Sequence, residues 1–159
     1  MGQEHEGHQV KLKKIISGGQ TGADQGGLMA AQRLDLETGG FAPKNFRTEE
    51  GNCPWLGVEF GLVETDTTLY TQRTMANVAL AHATLIMGKV TSPGTRSTLA
   101  ICASLKKPFL LNPKTHQEFR EWLAEHEVEV LNVAGNRESV SPGIGKRVEQ
   151  FIFKALEII

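Results

Sequence analysis

The sequence predicts an α/β fold: a three-layer sandwich in which a mostly parallel sheet lies between two sets of helices. Three observations carry this reading. Strand-like and helix-like apolar patterns alternate along the chain, an arrangement that favours parallel pairing with right-handed crossovers. One short apolar run, Ala83 to Met87, reads as a buried strand. Two loops rich in Gly, Ser and Thr lead from strands into helices.

The elements follow in order. Residues 1–9 (MGQEHEGHQ) are polar and mixed in charge, and a flexible tail is expected there; His5 and His8 in such a segment do not make a metal site. Val10, Leu12, Ile15 and Ile16 form a β-prone run that stops at Ser17-Gly18-Gly19. Asp24 to Leu36 reads as a helix with Leu28, Ala31 and Gln32 on successive turns, its start weakened by Gly26 and Gly27. A short second strand is expected from Gly39 to Ala42. Pro43 to Asp66 carries Pro, Gly, Asn and mixed charge without a clean period; a loop of that length is usually functional or mobile, and a lid is expected.

Thr71 to His82 reads as a helix with Met75, Val78, Ala79 and His82 on one face, running into the Ala83–Met87 strand. Ser92 opens a helix to about Leu105, with Leu99, Cys102 and Ala103 on one side. Then come a strand over Pro108 to Leu111, a helix over Lys114 to Glu125, a strand over Val128 to Val133, and a closing helix over Pro142 to Ile158 packed through Ile144, Val148, Phe151, Ile152 and Ala155. Residues 10–159 are therefore read as one ligand-binding domain.

With 159 residues, 17 basic against 18 acidic, the chain is sized for one domain and its net charge of −1 argues against a surface built for nucleic acid. Anion binding, if present, must be local. No apolar run is long enough to span a membrane, and the first residues lack a signal peptide's apolar region. Cys53 and Cys102 sit in no Cys-x-x-Cys or Cys/His array, so a reducing, cytoplasmic compartment is expected and no metal is assigned. No Ser-His-Asp, His-Glu-x-x-His or paired-carboxylate set can be placed, so no catalytic residue is assigned either.

The two loops carry the chemistry. In Ser17-Gly18-Gly19-Gln20-Thr21-Gly22-Ala23-Asp24, glycines permit close approach of a ligand while the next helix offers unpaired N–H groups, which suits a phosphate or a pterin-like anion. It is neither a P-loop nor a G-x-G-x-x-G fingerprint; a tight strand-to-helix turn is the alternative. In Ser92 to Thr98, Ser92 suits the helix cap, Pro93 the first helical position, and Gly94, Thr95, Ser97 and Thr98 crowd small donors around the N-terminus. Arg96 and Arg73 each fall near the start of a helix, where the dipole opposes a cation. A bound anion would reverse that opposition; pairing of each arginine with a carboxylate such as Glu64 or Asp66 is the other reading. Lys44 and Arg47, in the expected lid, are further candidate anion contacts.

The strings IISGGQTGADQGGLMAAQ, GGFAPKNFRTEEG, EFGLVETDTTLYTQRTMANV and ATLIMGKVTSPGTRSTLA resemble the molybdenum cofactor carrier proteins, themselves similar to the YpsA-type branch of Rossmann-like nucleotide-sensing domains. The resemblance runs over nearly the whole chain from about Lys13. It implies a Rossmann-like domain that binds the molybdenum cofactor, a pterin bearing a phosphate, without transforming it. By the same resemblance Gly18, Gly19, Thr21, Gly22 and Ala23 would form a first anion site, Arg73 and Thr74 a wall, and Ser92, Gly94, Thr95, Arg96, Ser97 and Thr98 a second anion site, with Lys44 matching a loop lysine. It also implies a homo-oligomer and a molybdoenzyme as acceptor. The alternative is a sensor of a nucleotide such as AMP or ADP-ribose, or a phosphoribohydrolase that cleaves a nucleotide N-glycosidic bond. The related lysine-decarboxylase-like phosphoribohydrolases carry PGGxGTxxE; starting at Pro93, this chain has Ile101 where that glutamate would stand, leaving Asp24, Glu64 or Asp66 as acids from other loops.

Overall fold

The computed structural model describes residues 9–157. The tail expected over residues 1–9 therefore lies outside the described residues except for Gln9, and so does Ile158 at the end of the expected last helix.

The main sheet is built from β1 (Lys14–Ile16), β2 (Glu37–Gly39), β7 (Ala83–Met87), β8 (Phe109–Leu111) and β9 (Val130–Gly135), in the order β2-β1-β9-β7-β8. Every pairing in it is parallel, with Ile15 opposite Thr38 and Leu131, and Leu85 opposite Val133 and Leu110. Among the described residues six helices accompany it: α1 (Ala23–Arg33), α2 (Trp55–Phe60), α3 (Tyr70–Leu80), α4 (Pro93–Ser104), α5 (His116–Glu125) and α6 (Ile144–Leu156). The larger core lies where α1, α5 and α6 cover one face of the sheet, through Ala30, Ala31, Phe119, Leu123, Val148 and Ile152 against Ile15, Leu85, Leu131 and Val133. On the opposite face Val78 of α3 and Cys102 of α4 meet Ile86. Adjacent residues of β7, Leu85 and Ile86, thus enter different cores, which is why this strand is apolar without alternation.

Gly26 and Gly27, which weaken α1 as an isolated helix, are close-packing positions. A Cβ on Gly26 would sit 2.4 Å from the Gly145 carbonyl, and one on Gly27 would sit 2.6 Å from Val133 Cβ. The helix trades local propensity for contact with α6 and β9.

The strand order has a simple meaning. Counted from β9 instead of β1, the five strands run third, second, first, fourth and fifth, which is the 3-2-1-4-5 order of the doubly wound dinucleotide-binding sheet. The last strand of this chain therefore occupies the central position of the first strand in that fold, and the expected Rossmann-like architecture is present in rotated chain order.

Several expected boundaries shift. The strand expected at Gly39 to Ala42 is two strands, β2 in the main sheet and β3 (Phe41–Ala42), which pairs in parallel with β6 (Val63–Glu64). Gly40, at φ +121°, turns the chain between them, and a side chain there would strike the Ser17 backbone. Residues 43–66 are organised: a 3-10 turn (Lys44–Phe46), a hairpin of β4 (Arg47–Thr48) and β5 (Gly51–Asn52), then α2 and β6. They close over a small core of Leu28, Ala42, Cys53, Leu56, Phe60 and Leu62. This segment is thus a packed insertion, where a lid was expected: its apolar residues answer to Leu28 of α1 and follow no single period.

Candidate functional site

Ligands of open parallel sheets bind beyond the carboxyl ends of the strands, where neighbouring connections depart to opposite faces. Here that point lies between β9 and β7. A cavity of about 570 Å³ is found there, floored by Asn132–Gly135 of β9, with the Asn136–Val140 turn, the start of α3 and the start of α4 as walls.

The α4 wall is built as its sequence predicts. Ser92 is the N-cap, Pro93 is the first helical residue, and Ser92 Oγ accepts the Thr95 N–H at 3.4 Å. The cap is locked from behind by Asn136, 2% exposed, whose Nδ2 donates to Ser92 Oγ and Thr95 Oγ1, both at 3.0 Å, and to the Lys89 carbonyl at 3.1 Å. Its Oδ1 accepts from Ser141 Oγ at 2.7 Å. Gly94, Ser97 and Thr98 face the cavity. The Gly94 N–H has no acceptor among the described residues, and a Cβ built on Gly94 meets nothing within 4 Å. A helix N-terminus with an open N–H and flanking hydroxyls is a ready site for an anion.

The α3 wall presents Tyr70, Arg73, Thr74 and Asn77. Arg73 Nη1 donates to Asp24 Oδ2 at 2.7 Å, and the two side chains are 12% and 7% exposed. For Arg73 the alternative of pairing with a carboxylate holds, with Asp24 as the partner in place of Glu64 or Asp66, whereas Arg96 makes no ion pair among the described residues. Burial pushes the Asp24 carboxyl above its ordinary value, against the pull of Arg73, the Gln20 N–H and Arg137. Two buried donors on this side lack acceptors among the described residues, Arg73 Nε and Gln20 Nε2. Gln20 is 5% exposed and lines the cavity; its Oε1 accepts from the Thr21 and Glu49 N–H groups at 3.0 and 2.8 Å.

The glycine loop after β1 is used differently from expectation. Gly18 lines the cavity, but the group that approaches it closely is Arg73: a Cβ on Gly18 would sit 1.5 Å from Arg73 Nη1. Gly19 packs on Leu56 and Leu62, and Gly22, at φ +83°, lies under the Asn136 carbonyl and Glu138 N–H. The loop's N–H groups are largely taken within the protein: Gly19 donates to Ser17 Oγ, Gln20 to Asp24 Oδ2, Thr21 to Gln20 Oε1, and the buried Ala23 to the Asn136 carbonyl. Asp24 itself accepts the Gln20 N–H and the Arg73 guanidinium. Thr21 Oγ1 donates to Glu49 and accepts the Glu138 N–H. Glu49 also receives the Ser139 N–H and hydroxyl. Desolvation raises the Glu49 carboxyl, but the bonds from Ser139 and Thr21 outweigh it and hold it below its ordinary value.

Of the expected site residues, the structure brings Gly18, Arg73, Thr74, Ser92, Gly94, Ser97 and Thr98 to one cavity. Gly19, Thr21, Gly22, Ala23 and Thr95 do not line it, and Thr21 and Gly22 border a separate surface pocket with Glu138 and Lys146. Arg96 is exposed and does not line the cavity, because it lies two residues, about 200°, round α4 from Gly94. Lys44, exposed in the 3-10 turn, and the rest of residues 43–66 also lie off the lining. Ile101 packs against Val78, Ile86 and Cys102, so no acid stands in its place, and Asp24 is the carboxylate in the lining. The residues that the sequence reading missed include Gln20, Tyr70, Asn77, Asn132, Asn136 and Arg137. For Asn136 and Arg137 a signal was available: AGNRESVSPG is a third polar, Gly- and Ser-bearing connection from a strand into a helix.

The fold and this site define a Rossmann-like α/β protein with a cavity at the switch point of a rotated strand order. The chain belongs to the circularly permutated YpsA SLOG family, whose model matches residues 15–156. It is also similar to a solved structure from Syntrophus aciditrophicus SB named "Putative molybdenum carrier protein", with 30% identity and a TM-score of 0.81 over 94% of this chain and 95% of that one. No protein of curated function matches the chain. Among the described residues no helix is long and apolar enough to cross a membrane, and no group of three or more His, Cys, Asp or Glu side chains is placed to hold a metal ion.

Proposed function

We propose that this protein binds and carries the phosphate-bearing pterin of the molybdenum cofactor in the cavity between β9 and β7, with the phosphate at the N-terminus of α4. The observation that supports this most strongly is the open Gly94 N–H beside Ser97 and Thr98, facing a cavity that also holds Arg73 and the unpartnered Gln20 Nε2. The donor set fits such a ligand. Helix N–H and hydroxyl groups suit the phosphate, and the Gln20 amide and Asn132 suit the polar edge of a pterin. Cys53 and Cys102 lie in separate apolar cores, so the chain offers the cargo's metal no thiolate from the cavity wall. The name of the Syntrophus protein is consistent with this reading.

A nucleotide derivative is the second ligand class, favoured by the position of the cavity at the switch point. Turnover would need an acid, and Asp24, with its carboxyl raised, is the residue placed to supply one. The experiment is an anaerobic thermal-shift comparison of the cofactor, AMP and ADP-ribose, with base release followed in parallel. A ligand at about 100 times its Kd adds about 2.7 kcal/mol, or roughly 5–10 °C for a domain of this size. Selective stabilisation by the cofactor is expected. A shift with nucleotides alone would overturn the carrier reading, and base release lost in Asp24→Asn would make the protein a hydrolase.

A further inference from the structure

Tyr70, the single tyrosine of the chain, stands at the start of α3 in the cavity wall. Three guanidinium groups surround its ring: Arg47 at 5.1 Å from the ring centroid, and Arg73 and Arg137 each at 5.3 Å. They come from three separate parts of the chain, the β4 strand of the insertion, helix α3 and the turn after β9. All three charges lie within about 11 Å of one another, which is roughly one Debye length.

Their carboxylate partners do not match them. Asp24 is engaged with Arg73. Glu49 lies near enough to feel Arg137, but its oxygens receive Thr21 and Ser139. Among the described residues neither Arg47 nor Arg137 lies within ion-pair distance of a carboxylate; Arg47 Nη1 donates to the Thr68 carbonyl at 3.2 Å. One ring attracts a cation through its quadrupole, but three guanidinium groups round one ring repel each other. An anion placed among them removes that repulsion, and planar guanidinium forks are suited to hold a phosphate.

We propose that Arg47, which stands outside the cavity lining against Tyr70, and Arg137, which lines it, form a second anion subsite at the Tyr70 edge of the cavity, so that the ligand carries two anionic groups: one at the α4 N-terminus and one at this arginine pair. The inference rests on the proposed location of the ligand in the β9–β7 cavity and narrows its class to a molecule with a second anionic group, such as a pyrophosphate, over a monophosphate. The packed insertion thereby acquires a role, since β4 delivers Arg47 to the ring.

The test is calorimetric titration of the parent, Arg47→Gln and Arg137→Gln with AMP and ADP-ribose, and with the pterin cofactor and its nucleotide-conjugated dinucleotide form. Arg47 is exposed, so its variant is expected to fold, and thermal melting checks both variants. The parent is expected to bind the pyrophosphate member of a pair roughly ten- to a hundredfold more tightly, the weight of one or two charge-assisted contacts. Each variant is expected to bring that ratio towards one. Equal affinity for both members in the parent, or a ratio unchanged in both variants, would overturn the second subsite while leaving the cavity reading intact. If none of the four compounds binds, the cavity reading itself fails, and the subsite with it.

Discussion

Gly18 and Arg73 show how one missing methyl group sets the site. Gly18 needs no left-handed backbone; it is small because the Arg73 guanidinium lies across it on the way to Asp24. An alanine there would have its Cβ 1.5 Å from Nη1, so Arg73 must leave its partner or the loop must move. Overpacking of this kind costs about 1–3 kcal/mol, and a buried carboxylate deprived of its cation adds to it. Gly18→Ala is therefore expected to lower the urea midpoint at neutral pH. The deficit should narrow on acidification, because protonating Asp24 removes the stranded charge; the burial that raises its carboxyl brings that point above the ordinary range. Denaturation across pH checks both parts. Arg96 carries the opposite lesson. It shares Arg73's unfavourable place near a helix start, yet lies on the outer side of α4, where solvent screens it and no ligand is required to explain it.

At the scale of elements, most of the main sheet and its helices were legible in the sequence. The apolar run at Ala83–Met87, the Ser92-Pro93 cap and the amphipathic stripe of α6 each state their structure locally. The illegible parts are those whose residues answer to distant ones. Residues 43–66 show no period because they fold as short pieces over Leu28 of α1, and the Gly39–Ala42 strand divides because Gly40 is pressed on the Ser17 backbone. The Asn136–Val140 turn was passed over although its side chains lock the α4 cap. The open end of α4 yields a prediction that separates stability from binding. Gly94→Ala meets no atom within 4 Å and replaces a glycine in the first helical turn, so it is expected to raise stability by up to about 1 kcal/mol. The same methyl intrudes on the anion seat and should weaken phosphate-ligand binding about tenfold, as loss of a charge-assisted bond does. Melting and titration on one sample would show the two changes in opposite directions.

At the scale of the whole molecule, the strand order explains why the cavity gathers residues from both ends of the chain. β9 comes after the other strands in the chain yet sits at the centre of the sheet, so residues 132–140 meet Gly18 and Gln20 on one side and α4 on the other. Val10 and Leu12 before β1 border the same surface cavity as Ala155 and Leu156 at the end of α6, which places α6 to lead directly into β1. A circular permutant joined by a short linker from Glu157 to Val10 and opened between His126 and Glu127, in the exposed turn before β9, is accordingly expected to fold cooperatively with the parent's circular dichroism. Its strands, numbered along the new chain, would then lie in the sheet in the order 3-2-1-4-5. The central claim, that an anionic ligand sits at the α4 N-terminus in the β9–β7 cavity, is tested most directly by a crystal structure of the protein with the bound cofactor or nucleotide. The account predicts a phosphate oxygen within hydrogen-bond distance of the Gly94 N–H and of Ser97 or Thr98. A phosphate seated instead on the Gly19–Ala23 loop, with Asp24 displaced from Gln20 and Arg73, would contradict it.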